Sequence, residues 1–236
     1  MGHMGHFSGN VRHTKKRGFE RQFMVNSKTC KMAEKIRCPW PMDIPIYIDY
    51  HDNEWGRPVH DDVRLFEMLI LEGAQAGLSW ITVLKKRAAY REAFDGFDPH
   101  KVVRYGDAKI QALMADEGIV RNRLKINAAV INAKAFLDVV EKHGSFSKFI
   151  WDYVDGTPVV GHWKKMTDIP ATTPISDRIS KDLKNMGFKF VGSTIIYSFM
   201  QAVGMVNDHL TECFVYRELV KRTKGARGMR GTYETA

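Results

Sequence analysis

The sequence predicts an all-α protein. From Asp61 onward apolar residues recur at the three- and four-residue spacing of a helix face, and residues that favour helix starts and stops punctuate that pattern. No convincing run of alternating apolar and polar residues marks strands, and no repeat period marks a solenoid. Residues 38–61, CPWPMDIPIYIDYHDNEWGRPVHD, are rich in proline, aromatic and acidic residues and read as ordered irregular structure with at most one short helical turn. The first clear helix is DDVRLFEMLILEGAQAG: its acids suit a helix N-terminus, and Leu65, Phe66, Leu69 and Ile70 mark a buried face. Ser79 is placed to cap WITVLKKRAAYREAF and Asp107 to open AKIQALMADE. RNRLKINAAVINAKAFLDVVEKHG reads as a long amphipathic helix that stops at Gly144, and SFSKFIWDYV adds a short one. After the loop DGTPVVGHWKKMTDIPATTPI, Ser176 or Asp177 can cap RISKDLKNMG. A tight turn then leads into STIIYSFMQAVG, and a last short helix carries NDHLTECFVYRELVKR.

At 236 residues and 44% hydrophobic content the chain can bury a substantial core without staples. Cys30, Cys38 and Cys213 are odd in number and far apart, which argues against a secreted disulfide framework and for a reducing compartment in which metal binding is open to them. No segment approaches the ~18–20 uninterrupted apolar residues of a membrane span, and the basic N-terminus lacks a signal-peptide core. The reading is a soluble cytoplasmic protein with no membrane partner and nothing that demands more than a monomer. The net charge of +9 concentrates in residues 1–37 and 217–236, and the segment between them is close to neutral. The organisation expected is therefore a basic disordered arm over 1–37, one domain over 38–216 and a basic tail over 217–236. The opening MGHMGH reads as an appended segment. Any case for nucleic-acid binding has to come from the core.

Three constellations in the core carry chemistry. In LKNMGFKFVGSTIIYSFMQ a helix ends near Gly187, and Gly192 precedes an apolar helix that begins with Ser193 and Thr194. Unpaired N–H groups and the positive dipole end at such a start can hold a phosphate, with Gly192 allowing close approach and Lys189 adding charge; an ordinary helical corner has the same spacing. Glu72 lies in LILEGAQAGLSW, where no lysine or arginine stands three or four positions away. Such a carboxylate faces solvent, meets a distant base, or waits for a cationic ligand. Tyr47, Tyr50, Trp55 and Trp80 surround it in sequence, and a carboxylate beside stacking rings suits a flat, cationic heterocycle such as an alkylated purine. Finally, His209 and Cys213 stand four apart, which on a helix puts them on one face, as ligands or as an ordinary buried pair.

Read together, YIDYHDNEWG, LEGAQAGLSWITVLKKR, GFKFVGSTIIYSFMQAVGMVNDH and the His209/Cys213 pair resemble the 3-methyladenine DNA glycosylase I family, in the helix-hairpin-helix DNA glycosylase superfamily, from about Cys38 to Tyr216. The resemblance implies one structural Zn2+ held by Cys38, His51, His209 and Cys213, a closed tetrahedral shell that joins the N- and C-terminal segments. Cys30 has no counterpart in that pattern. It further implies that Glu72 and Tyr50 hydrogen-bond an extruded methylated base, that Trp80 stacks on it, that Tyr47 lines the pocket, and that the hairpin of Gly187, Lys189, Gly192, Ser193 and Thr194 grips the backbone of alkylated duplex DNA. The base must be flipped out, because its glycosidic bond is inaccessible in the stack.

The expected reaction is hydrolytic removal of 3-methyladenine without strand cleavage. That base is cationic in DNA, so it leaves neutral and needs no strong general acid. Bifunctional relatives use a lysine at the start of the second hairpin helix, where this chain has Ser193 and Thr194. Asp208, beside His209, is assigned no catalytic role. Two other readings compete: a non-enzymatic zinc-containing DNA-binding module, and a glycosylase for another damaged base.

Overall fold

A computed structural model describes residues 35–225 of the chain. It is mostly helical, in the order α1 (Pro45–Asn53), α2 (Asp62–Gln75), α3 (Trp80–Ala93), α4 (Pro99–Val102), α5 (Asp107–Ala115), α6 (Arg123–His143), α7 (Phe146–Trp151), α8 (Pro174–Asn185), α9 (Ser193–Ala202) and α10 (Phe214–Gly225). One departure from the all-α expectation is a two-residue parallel pairing of β1 (Val159–Val160) with β2 (Val206–Asn207), which fastens the loop after α7 to the segment after α9.

The core is organised around α2. Asp61 caps it by accepting from the Arg64 N–H, and ten consecutive positions from Leu65 to Ala74 are buried. A helix buried all round needs partners on every side, and α2 packs against α3, α6, α7 and α9. Gly73 permits the approach of the turn between α8 and α9, since a Cβ there would stand 3.3 Å from that of Phe190. At the other end of the approach, Asn132 of α6 clamps the same turn, accepting from the Lys189 N–H at 2.7 Å and donating to its carbonyl at 2.9 Å. Lys125 donates to the carbonyls of Ala74 and Ala76, closing the C-terminus of α2 where intrahelical partners run out.

Several local expectations are corrected. Residues 45–53 form a full helix because Pro45 fits the first turn, where its missing N–H costs nothing. Thr173 caps α8, with Ser176 returning the bond in a capping box and Pro174 at the first turn, so Ser176 and Asp177 lie inside the helix. Ser79 precedes α3 without a capping bond; its hydroxyl meets that of Thr82 at 2.8 Å. Gly106 holds the cap position before Asp107. Asn122 and Gly144 bound the long α6, with Gly144 left-handed at φ 86° as a helix stop requires. Order extends past both expected domain edges: Arg37 makes a two-pronged contact with Asp52, and α10 continues through residues assigned to the tail, with Leu219 buried and Glu218 paired to Arg57. The rest of the arm, Cys30 included, and residues 226–236 lie outside the described residues.

One buried charge network ties α2 to α3. Glu67, 3% exposed, accepts from Arg87 at 2.6 Å, and also from Arg64 and Arg91; Arg87 reaches on to Glu54. Burial opposes ionisation of Glu67, but Arg87 first and then Arg64 and Arg91 hold its carboxyl below the usual range. The Arg64 and Arg91 contacts are too exposed to contribute much, so the energetic weight rests on the Arg87 pair. Glu67→Gln, which leaves the buried Arg87 guanidinium with Glu54 as its remaining carboxylate, is expected to lower the unfolding free energy in urea by about 2 kcal/mol; a loss under about 1 kcal/mol would remove the network from this account.

Candidate active site

Beside this core lies a cavity of about 340 Å³, walled by five parts of the chain. The N-terminal segment supplies Trp40, Tyr47, Tyr50 and Trp55; α2 supplies Glu72 and Gln75; α3 opens with Trp80. The opposite wall is α9, whose Thr194, Tyr197, Ser198 and Gln201 recur at the spacing of one helix face. Met166, Ile169, Pro170 and Ala171 close the side. All four residues expected around the base therefore come together: Glu72, Tyr50, Trp80 and Tyr47.

Glu72 is 4% exposed, and no described residue hydrogen-bonds or ion-pairs its carboxylate. Burial alone pushes its pKa up to about 8. Five residues earlier on the same helix, Glu67 has three arginines and shifts the other way. The contrast is the chemical signature of the site: one carboxylate is compensated by the fold and one is left for something else. Tyr50, fully within the protein, has its hydroxyl pushed well up by burial and then by Glu72, and Tyr47 follows the same two causes less strongly. The Tyr50 and Trp80 rings tilt against each other with centroids 5.4 Å apart. Trp40 and Trp80 each hold a buried indole N–H with no partner among the described residues, a further polar cost concentrated at the cavity.

Of the hairpin residues Thr194 lines the cavity, whereas Lys189 lines a separate groove with Leu124, Ile131 and Phe190. Gly187 takes φ 94°, which a side chain would strain, whereas Gly192 has an ordinary φ and faces open space. No side chain caps α9, so its first N–H groups are left for solvent or a ligand. Thr194 lines both the cavity and an adjoining groove that runs past Glu72, Gln75 and Leu78. Lys189 is exposed on the turn. Ser193 is more committed than its spacing indicates: its hydroxyl donates to Asp177 and lies 3.0 Å from that of Ser176.

Cys38, His51, His209 and Cys213 converge with their ligand atoms within 4.8 Å of one another, all buried. His209 and Cys213 do so from a non-helical turn, since α10 starts only at Phe214; the expectation of one helical turn is corrected, and the convergence is made by the Leu210 carbonyl accepting from the Cys213 N–H. The His209 Nδ1 stands 3.7 Å from Cys38 Sγ, 3.6 Å from Cys213 Sγ and 3.2 Å from His51 Nε2. A tetrahedral ion with metal–S near ~2.3 Å and metal–N near ~2.0–2.1 Å needs S···N of roughly 3.5 Å and N···N of roughly 3.3 Å, so the separations around His209 suit such an ion. The remaining ring nitrogens are committed outward: His51 Nδ1 pairs with Asp52 and His209 Nε2 with the Trp55 carbonyl. Trp40 connects cluster and cavity, edge-on to His51 at 5.2 Å and to Tyr47 at 4.9 Å.

Sequence reasoning singled out Trp55 without giving it a role and missed Trp40, Tyr197 and Gln201. The signal for the last two was available: a polar stripe at i, i+3, i+4 and i+7 on an otherwise apolar helix.

Comparison with known proteins agrees with this geometry. The sequence model of the methyladenine glycosylase family matches residues 40–216. DNA-3-methyladenine glycosylase 1 of Escherichia coli is 51% identical over 180 residues, covering 76% of this chain and 96% of that protein. DNA-3-methyladenine glycosylase of Haemophilus influenzae is 50% identical over 177 residues, covering 75% and 96%. A structure of 3-methyladenine DNA glycosylase I from Staphylococcus aureus, described for its recognition of 3-methyladenine, superposes with a TM-score of 0.74 at 41% identity over 75% of this chain and 95% of that one. With the family's sequence pattern spanning the whole cavity and relatives matched over nearly their full length, this chain belongs to the methyladenine glycosylase family.

Proposed function

We propose that this protein is a DNA glycosylase of base excision repair that removes 3-methyladenine from alkylated duplex DNA by hydrolysis, without strand cleavage. The single observation that carries the reading is Glu72: a buried carboxylate with no cation among the described residues to meet it, lining an aromatic cavity. A cationic purine completes what the fold leaves out. Its charge favours the ionised carboxylate, so binding drives a proton off Glu72, and the rings of Trp80 and Tyr50 supply faces against which a flat cation is attracted. The Tyr50 hydroxyl, kept protonated by burial, remains a hydrogen-bond donor. Selection at this step is electrostatic: a neutral purine offers nothing to offset ionisation of Glu72.

As the glycosidic bond breaks, its electron pair goes to the base, which leaves neutral, and the positive charge passes to the sugar. The sugar becomes oxocarbenium-like, and a water completes hydrolysis. DNA seated over the open cavity excludes bulk solvent, while its phosphates and the field of the ionised Glu72 stabilise the developing cation. The uncapped N-terminus of α9, beside Gly192 and Thr194 and with Lys189 nearby, is the backbone contact that presents the nucleotide to the cavity, as in a helix-hairpin-helix motif. No lysine stands at the start of α9, which leaves no amine there for a Schiff base.

The Cys38, His51, His209 and Cys213 set fits one structural Zn2+. Four protein ligands leave no position for water, so the ion's role is to tie residues 38–51 to the segment before α10 and thereby to fix Trp40 and Trp55 at the cavity wall. Metal analysis of purified protein is expected to give about one zinc per chain, and Cys213→Ser to abolish it and lower unfolding free energy by several kcal/mol, on the order expected for a structural site. Negligible zinc together with unchanged stability in that variant would remove the metal.

Incubation with methylated duplex DNA is expected to release 3-methyladenine and leave the strands intact, and Glu72→Gln to lower kcat/KM by about a hundredfold, the scale of one lost charge interaction in a dry site. Full activity in that variant would sink the assignment of Glu72. Because the ionised form binds the cation, kcat/KM should rise about tenfold per pH unit at lower pH and level off near the pKa of about 8, with Glu72→Gln losing that limb. A profile that instead falls above pH 8 would make Glu72 a proton donor to a neutral base, which favours the other-lesion reading.

A further inference from the structure

We infer that Gln201, held in one orientation by Asp208, selects the extruded base by its exocyclic group, accepting a hydrogen bond from an amine and rejecting a carbonyl. The inference deepens the reading of the cavity as a 3-methyladenine site and rests on it. Asp208 is 1% exposed and lies behind the α9 wall. Three donors converge on its carboxylate: the Trp163 indole N–H at 2.7 Å to Oδ1, and the Tyr197 hydroxyl at 2.5 Å and the Gln201 amide nitrogen at 3.0 Å to Oδ2. Gly161 makes room for this arrangement, since a Cβ there would stand 2.6 Å from Asp208 Oδ1 and 2.2 Å from Trp163 Nε1.

A carboxylate can only accept from such partners, so the end of the Gln201 amide that faces Asp208 must be its NH2. The usual ambiguity of an amide is thereby removed by chemistry. Gln201 lines the cavity, and no described residue satisfies its Oε1, which is then the terminal atom left for a ligand. The backbone of Gln201 is fixed as well, its carbonyl accepting from the Gly56 N–H at 2.9 Å. The cavity thus offers two acceptors from facing elements, Glu72 on α2 and Gln201 on α9. An exocyclic amine carries two N–H donors and can meet both. A carbonyl at the same position of a methylated guanine would set oxygen against oxygen. Asp208 is in this sense a positioning residue, acting on the base only through Gln201.

The test measures the ratio of 3-methyladenine to 3-methylguanine released from methylated duplex DNA by the full chain, with zinc content determined on each sample. In Asp208→Asn, Trp163 keeps the amide oxygen of the new side chain and its NH2 is left facing Gln201, which must turn its own oxygen inward and present its NH2 to the cavity. The ratio is expected to fall by about tenfold or more, with a gain in absolute 3-methylguanine release. Gln201→Leu, which removes the acceptor without supplying a donor, should lower 3-methyladenine release with no such gain. Equal loss of both bases in both variants at wild-type zinc content would reduce the pair to a structural role and overturn the inference, as would an unchanged ratio. If Asp208→Asn fails to fold or loses zinc, Gln201→Leu alone decides, since an unchanged ratio there removes Gln201 from selection. No release of 3-methyladenine by the unsubstituted protein would instead overturn the reading of the cavity itself, and the inference with it.

Discussion

An uncompensated carboxylate in the middle of an apolar helix is the constraint around which this protein is arranged. Ionising a buried carboxyl is costly unless positive charge meets it, and the fold shows that it can provide such charge when required. Glu67 receives Arg87, with Arg64 and Arg91 at its rim, and its carboxyl is held low. Glu72, on the same helix, receives no charge from the described residues and is pushed up to about 8. Two chemically identical side chains thus diverge by environment alone, one a structural tie and one left uncompensated at the cavity.

Keeping Glu72 in that state depends on walls drawn from distant parts of the chain. The aromatic wall belongs to an N-terminal segment with little core of its own, and it is anchored at its far side by His51 and Cys38 meeting His209 and Cys213. The Trp55 carbonyl accepts from His209, and Trp40 stands edge-on to His51, so the four-residue cluster and the cavity share a boundary. The α9 wall is held from behind by Asp208, the residue directly before His209. A short parallel pairing of β1 with β2 leads into that same stretch. One run of chain, residues 206–213, therefore serves sheet, cavity wall and ligand cluster in succession.

Much of this was legible in the sequence, for identifiable reasons. Helical periodicity located α2, α3, α6, α8 and α9, because each buries one face or more and long amphipathic patterns are hard to mistake. The absence of a lysine or arginine near Glu72 in sequence set it apart, and among the described residues no distant base meets it either. Local chemistry was less legible. The helix over Pro45–Asn53 has little amphipathic pattern and is held by tertiary contacts, and the α8 cap was misread because Thr173 and Pro174 lie just outside the periodic stretch. His209 and Cys213 converge through a turn and not a helix, a distinction that residue spacing cannot make. Asp208 was set aside as a neighbour of a ligand, and only the three donors around it reveal its place behind Gln201.

The central claim is that Glu72 is poised, protonated near neutrality, for a cation. Labelling the glutamate side-chain carboxyl carbons with 13C and following their shifts against pH by NMR, with Glu72→Gln to assign the resonance, reads this directly. The account predicts a titration near 8 in the free protein that moves down by at least about one unit when duplex DNA carrying a cationic N3-methylated purine with a cleavage-resistant glycosidic bond is bound, because a bound cation favours the charged carboxylate. A Glu72 resonance that titrates near 4.5 in the free protein, the ordinary value for a glutamate, would contradict it.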